Sequence, residues 1–103
     1  MRRAAKVDAN QDAVVSVLKA YGATVQSLAA IGKGCPDLLV GYRGHTLLIE
    51  VKDGRKPPSQ RQLTEHQQKW MAEWKGGTVA VVKDIEGVEH LLRTINGSTA
   101  QSS

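Results

Sequence analysis

A single cysteine, Cys35, stands in this chain, with no phenylalanine, three prolines and aromatic residues at only 4% of its 103 positions. One cysteine excludes an internal disulfide and any cysteine-only metal cluster, and it fits a reducing compartment. Cys35 could be read as a nucleophile, but it precedes a proline at the edge of a strand and reads better as a small packed residue. No apolar run approaches the length of a membrane span, and Met1-Arg2-Arg3 is followed by no apolar segment of the kind a secretory leader needs. A soluble, cytoplasmic protein is the expectation. The length allows one domain with one small core, so the lack of phenylalanine implies that the chain gains stability by oligomerising.

What is present is a modest excess of positive charge: 14 Lys and Arg against 10 Asp and Glu, a net charge of +4 and a pI near 9.5. That balance favours a polyanionic partner. The basic residues cluster, with Arg2, Arg3 and Lys6 at the start, then Lys52, Arg55, Lys56 and Arg61 together. A positive patch of this kind attracts phosphates; the bland alternative for residues 55–61 is a solvated face.

Read in order, residues 8–21 place Val14, Val15, Leu18 and Tyr21 at helical spacing, with capping-type Asp8 and Asn10 before them and Gly22 after. Residues 24–28 read as a strand and residues 31–34 as a glycine-rich loop containing Lys33. That loop lacks the full spacing of a phosphate-cradling P-loop. Two short strands joined by a turn at residues 41–44 follow, then a polar loop at 53–58 and a helix for which Ser59 is a candidate cap. On this helix Leu63, Gln67, Trp70 and Trp74 form one stripe, the tryptophans more in the manner of core or dimer contacts than of base-stacking groups. Gln67 on that stripe needs hydrogen-bond partners, which a metal site could supply through its waters. Gly76-Gly77 stops the helix, residues 79–82 form an apolar strand, and residues 85–95 a last helix with Val88, Leu91, Leu92 and Ile95 inward. A single domain over residues 1–95 is expected, with a disordered tail at 96–103. The order α-β-β-β-α-β-α predicts an α/β fold with a mixed four-stranded sheet flanked by helices.

The chemistry concentrates in the two middle strands, where Pro36-Asp37 opens the first and Glu50-Val51-Lys52 ends the second. Side chains alternate along a strand, so Glu50 and Lys52 share a face and Val51 takes the other. Pairing through the Arg43-Gly44 turn sets Asp37 opposite the end of the second strand, near Glu50. Two carboxylates converging in an apolar setting raise at least one pKa unless a cation lies between them. Hard oxygen donors of this kind suit Mg²⁺ or Mn²⁺, which use one or two carboxylates and keep several waters. The plain alternative is that scattered Asp, Glu and Lys lie on a solvated surface. His45, His66 and His90 have no ligand spacing between them and read as surface residues.

Residues 34–40, Gly-Cys-Pro-Asp-Leu-Leu-Val, followed by Ile49-Glu50-Val51-Lys52, resemble the PD-(D/E)xK nuclease superfamily and look most like its small stand-alone VRR-NUC branch, common in bacteriophages. The resemblance continues through Leu63-Thr64-Glu65-His66-Gln67 and Trp70 and spans about residues 8–83. It implies a restriction-endonuclease-like αβββαβ core with an added C-terminal helix. It also implies that Asp37, Glu50 and the backbone carbonyl of Val51 ligate Mg²⁺ or Mn²⁺, that Lys52 orients or deprotonates the attacking water, and that Gln67 lies beside the site. A residue of the first helix completes the site, with Gln11 preferred, Asp8 next and Asp12 also in contention.

The function expected from this resemblance is a metal-dependent DNA endonuclease, acting as a homodimer on branched DNA such as a four-way junction, in the cytoplasm, that of a phage-infected host cell included. Lys33, Arg55, Lys56 and Arg61 would contact DNA. A non-catalytic DNA-binding accessory is the alternative, and a toxin or regulatory protein-binding domain on the same scaffold a third, since fold alone does not fix function.

Overall fold

The structure is a computed structural model that describes the backbone of residues 9–102 and the side chains of residues 10–97. Asp8, Arg2, Arg3 and Lys6 lie outside the described residues. The elements run α1 (Ala9–Ala20), β1 (Thr24–Ser27), β2 (Leu38–Tyr42), β3 (His45–Val51), a 3₁₀ turn (Pro58–Gln60), α2 (Glu65–Glu73), β4 (Val79–Val82) and α3 (Ile85–Ser102). This is the expected α-β-β-β-α-β-α order.

Each boundary has a local cause. The helix α1 ends where Gly22 adopts φ +94°, which lets its N–H reach the Lys19 carbonyl at 2.9 Å and the Ala23 N–H reach that of Leu18 at 3.0 Å. That pair of hydrogen bonds closes the last turn and satisfies carbonyls the helix would otherwise leave open. Between β2 and β3, Arg43 and Gly44 both have positive φ, 48° and 83°. Two such residues match the twist of an antiparallel hairpin, so the connection is a two-residue turn and Tyr42 belongs to the strand.

The four strands form one sheet in the order β1-β2-β3-β4, antiparallel across the first two pairs and parallel between β3 and β4. Leu38, Val40, Tyr42, Leu47, Ile49, Val51 and Val82 point to one face. There they pack with Val14 and Leu18 of α1 and Val88, Leu92 and Ile95 of α3. Each such aliphatic side chain removed from water contributes about 1.5–3 kcal/mol before chain entropy is counted. The two helices are also joined at the rim, where the Tyr21 hydroxyl donates to Glu89 Oε2 at 3.0 Å.

The opposite face of the sheet carries Leu39, Thr46, Leu48, Glu50 and Val81, and is only partly covered. The helix α2 has no fully buried residue. Its two tryptophans stack on each other, with ring centroids 4.9 Å apart, and Trp74 is 41% exposed. They therefore do not join the core, one of the two roles, core or dimer contact, that their spacing suggests; the core fills from the other face of the sheet.

Two further boundaries differ from expectation. Thr64, not Ser59, caps α2, because residues 58–60 form a separate 3₁₀ turn led by Pro57-Pro58. The backbone of α3 remains helical to Ser102, where the composition predicts a disordered tail from residue 96. The apolar stripe does stop at Ile95, but no proline interrupts the register, and polar residues can continue a helix without burying anything.

Candidate metal centre

The hairpin register pairs Leu38 with Ile49, and one step further it sets Asp37 beside Glu50 and Val51. The Val51 N–H donates to Asp37 Oδ2 at 2.8 Å, and the Asp37 carbonyl accepts from the Leu28 N–H at 2.8 Å. The aspartate is thus fixed at both its side chain and its backbone. Pro36 before it is buried and has no N–H to leave unpaired.

Glu50 ends the row on the partly covered face and is only 3% exposed. Its Oε2 accepts from Gln67 Nε2 at 2.8 Å and lies 3.6 Å from Lys52 Nζ. Its Oε1 is buried and has no hydrogen-bond partner. Burial, and secondarily the neighbouring Asp37 carboxylate, push the Glu50 pKa up to about 7, against the smaller opposing pull of Lys52. An orphaned, desolvated carboxylate oxygen next to a second carboxylate is a site in need of a cation.

The donor set decides which cation fits. Among the described residues, no group of three His, Cys, Asp or Glu side chains gathers to hold a metal ion. Two carboxylates are hard donors, too few for a closed protein cage and suited to a cation that keeps part of its water shell. The residues present fit a hard divalent cation.

Lys52 follows β3 on the same face, and its Nζ donates to Gln67 Oε1 at 2.9 Å. Gln67 thereby touches both Glu50 and Lys52 directly, where the sequence suggested partners supplied through metal-bound waters. It can do so because α2 is brought close. Gly34, at φ +85°, packs so tightly under the start of α2 that a Cβ there would collide with the His66 carbonyl. Glycine at this position sets the distance between the loop before Asp37 and the helix that carries Gln67.

Of the first-helix candidates, Gln11 is half-buried on α1 and Asp12 is exposed, while Asp8 lies outside the described residues. Asn10, a capping residue by its sequence position, sits inside α1 and does something else. Its Nδ2 donates to the Lys52 carbonyl at 2.7 Å and to the Lys83 carbonyl at 3.3 Å. It therefore ties the ends of β3 and β4 to α1 and fixes the backbone from which Lys52 extends.

The basic residues distribute unevenly around this centre. Lys33, exposed and at φ 57°, lines a cavity of about 540 Å³ together with Gly34, Asp37, Thr64, His66 and Gln67. Lys56 is exposed. The Arg55 guanidinium is paired with Asp53 through Nε to Oδ1 and Nη2 to Oδ2, both 3.0 Å, and this pairing holds the Asp53 carboxyl down at about 2. Arg61 is half-buried, with a buried Nε that has no hydrogen-bond partner. A second cavity of about 530 Å³ opens beside Asn10, Asp53, Arg55 and Lys83, away from the two carboxylates.

Among the described residues no helix is long and apolar enough to cross a membrane. No family model matches the chain, and no curated protein does. A solved structure described as a VRR_NUC domain does match, with 31% sequence identity and a TM-score of 0.62 over 81% of this chain and 89% of that one. That identity over nearly the whole of the matched domain goes beyond likeness of fold, and the chain belongs to the VRR-NUC domain family, with its α/β, restriction-endonuclease-like architecture.

Proposed function

We propose that this protein is a Mg²⁺- or Mn²⁺-dependent DNA endonuclease that hydrolyses phosphodiester bonds as a homodimer on branched DNA. The observation that carries the reading is Glu50: a carboxylate sealed from water, with one oxygen unpartnered, beside Asp37 and within reach of a lysine. A protein keeps such a group when a ligand compensates it. The family's name points to the same chemistry.

Asp37 and Glu50, with the Val51 carbonyl, would hold the cation, and Gln11 would complete the site from α1. Bound there, a divalent cation supplies a Lewis acid that polarises the phosphoryl oxygen and lowers the pKa of water. Lys52 places a positive charge where negative charge grows on the phosphate in the transition state. Its ammonium is steered by Gln67 Oε1, so it does not collapse fully onto Glu50. Asp37 is held by the Val51 N–H and needs no rearrangement to present its carboxylate. Lys33, Lys56, Arg55 and Arg61 would position the DNA backbone, with Lys33 lining the same cavity as Asp37.

A homodimer would present two such sites, which suits a substrate that needs two symmetric cuts. The test is cleavage of linear, nicked, flapped and four-way DNAs with Mn²⁺, alongside sedimentation to determine the oligomeric state. Preferential cutting of the four-way substrate by a dimer is expected. Equal rates on all four would remove the branched-DNA assignment, and absence of cutting on every substrate would remove the nuclease reading itself.

A further inference from the structure

Gln67 makes two hydrogen bonds with the cap residue of its helix, Thr64, and two toward the candidate metal centre. Thr64 Oγ1 accepts from the Gln67 N–H at 3.1 Å, and the Thr64 N–H donates to Gln67 Oε1 at 2.9 Å. This reciprocal pair is a capping box, which normally serves only to satisfy the open donors at a helix start. Here it has a second effect. A backbone N–H can only donate, so it obliges the Gln67 oxygen to face Thr64 and leaves Nε2 turned the other way. Nε2 then donates to Glu50 Oε2 at 2.8 Å, while Oε1 takes its second donor from Lys52 Nζ at 2.9 Å.

The choice of glutamine follows from this double duty. Either glutamate or glutamine closes a capping box, and glutamate adds a favourable charge at the helix start. A glutamate at 67 would set a third carboxylate against Glu50 and offer it no donor. Only the amide satisfies both the helix and the centre. The rest of α2 adds little to the alignment, since the helix has no fully buried residue; Gly34 only leaves room for its start to come close.

We propose that Thr64 is a positioning residue for Lys52 and Glu50: its hydroxyl holds the Gln67 backbone in place, and only from that place does the Thr64 N–H meet the Gln67 amide oxygen and turn Nε2 toward Glu50. The inference rests on the reading of Asp37, Glu50 and Lys52 as the reaction centre. It makes the helix cap part of the site: the Thr64 hydroxyl sets where α2 starts, and Gln67 carries that position to the two groups that must face the phosphate.

The experiment compares Thr64→Val, which keeps shape and removes the hydroxyl, with Thr64→Ser, which keeps the hydroxyl, and with Gln67→Glu, which keeps the cap and removes the donor to Glu50. Two readouts are taken: Mn²⁺-dependent DNA cleavage, and exchange protection of the Gln67 side-chain amide protons by NMR. Expected for Thr64→Val are loss of amide protection and a fall in kcat of about 10- to 100-fold, the range that small misplacements of reacting groups produce, with KM for DNA unchanged. Thr64→Ser is expected to restore both. Gln67→Glu is expected to lower kcat by a similar factor while α2 stays helical by circular dichroism. Protected Gln67 amide protons in Thr64→Val, or a loss of kcat that Thr64→Ser does not restore, would overturn the proposal. If amide protection follows the hydroxyl as expected but the unmodified protein cleaves nothing, the hold of Thr64 on Gln67 stands and the nuclease reading falls.

Discussion

Replacing Glu50 with glutamine should make the metal-free protein more stable at alkaline pH while removing its activity. The side chain is 3% exposed, and its pKa rises from 4.5 to about 7 in the fold. The folded state therefore binds this proton more tightly than the unfolded chain does. Between those two values stability falls as pH rises, because the unfolded chain gives up the proton first. The loss begins near pH 4.5, is complete above about pH 7 and, at about 1.4 kcal/mol per pH unit, amounts to about 3 kcal/mol. Glutamine has nearly the same shape, carries no charge and can still accept from Gln67 Nε2. Urea unfolding followed by circular dichroism, in EDTA, should show Glu50→Gln more stable than the unmodified protein by up to about 3 kcal/mol at pH 8, and the two within about 1 kcal/mol of each other at pH 4. Adding Mn²⁺ at about a hundred times its Kd should return about 2.7 kcal/mol to the unmodified protein at pH 8 and little to the variant. A Glu50→Gln protein less stable at pH 8, or a stability difference that does not change with pH, would refute the reasoning.

Three other outcomes follow from the same geometry. Lys52→Met should lower kcat by about 10²–10³-fold, the usual cost of removing one group that meets transition-state charge, yet keep the Mn²⁺-induced stabilisation, because the carboxylates remain. Gly34→Ala should cost about 2 kcal/mol or more through its φ of +85° and the collision with the His66 carbonyl, and should lower cleavage by pushing α2 and Gln67 away from Glu50; chemical denaturation and kinetics on one preparation check both. Lys33→Ala combined with Lys56→Ala should reduce the slope of log K against log salt for DNA binding by about 2, since each lysine neutralises one phosphate, measured by fluorescence anisotropy.

The candidate site was legible in the sequence where it depends on strand geometry. The alternation of side chains sets Glu50 and Lys52 on one face, and a two-residue turn at Arg43-Gly44 fixes the register that brings Asp37 to Val51. Both follow from short-range rules. What could not be read depends on elements far apart in the chain meeting in space. Asn10 reaches the Lys52 and Lys83 carbonyls, 42 and 73 positions away, only because α1 crosses the ends of β3 and β4. Its signal is faint: an amide within the first helical turn that has no capping work to do.

The helix α2 shows the opposite failure, in which a signal is present and a stronger-looking one displaces it. Thr64-x-x-Gln67 is a capping box in the sequence itself, but Ser59 stands after two prolines and resembles a helix start. The tryptophan stripe reads as core or dimer contact because periodicity reports one face of a helix, not what covers that face. With the other side of the sheet occupied by α1 and α3, Trp70 and Trp74 stack on each other at the surface.

The central claim is that Asp37 and Glu50 hold a divalent cation that DNA cleavage requires. Plasmid cleavage with Mn²⁺ and with EDTA, measured for the unmodified protein, Asp37→Asn and Glu50→Gln together with DNA affinity in Ca²⁺, tests it most directly. Cutting that needs Mn²⁺, vanishes in both variants and leaves DNA affinity intact is the predicted result; undiminished cutting by either variant, or cutting in EDTA, would contradict it.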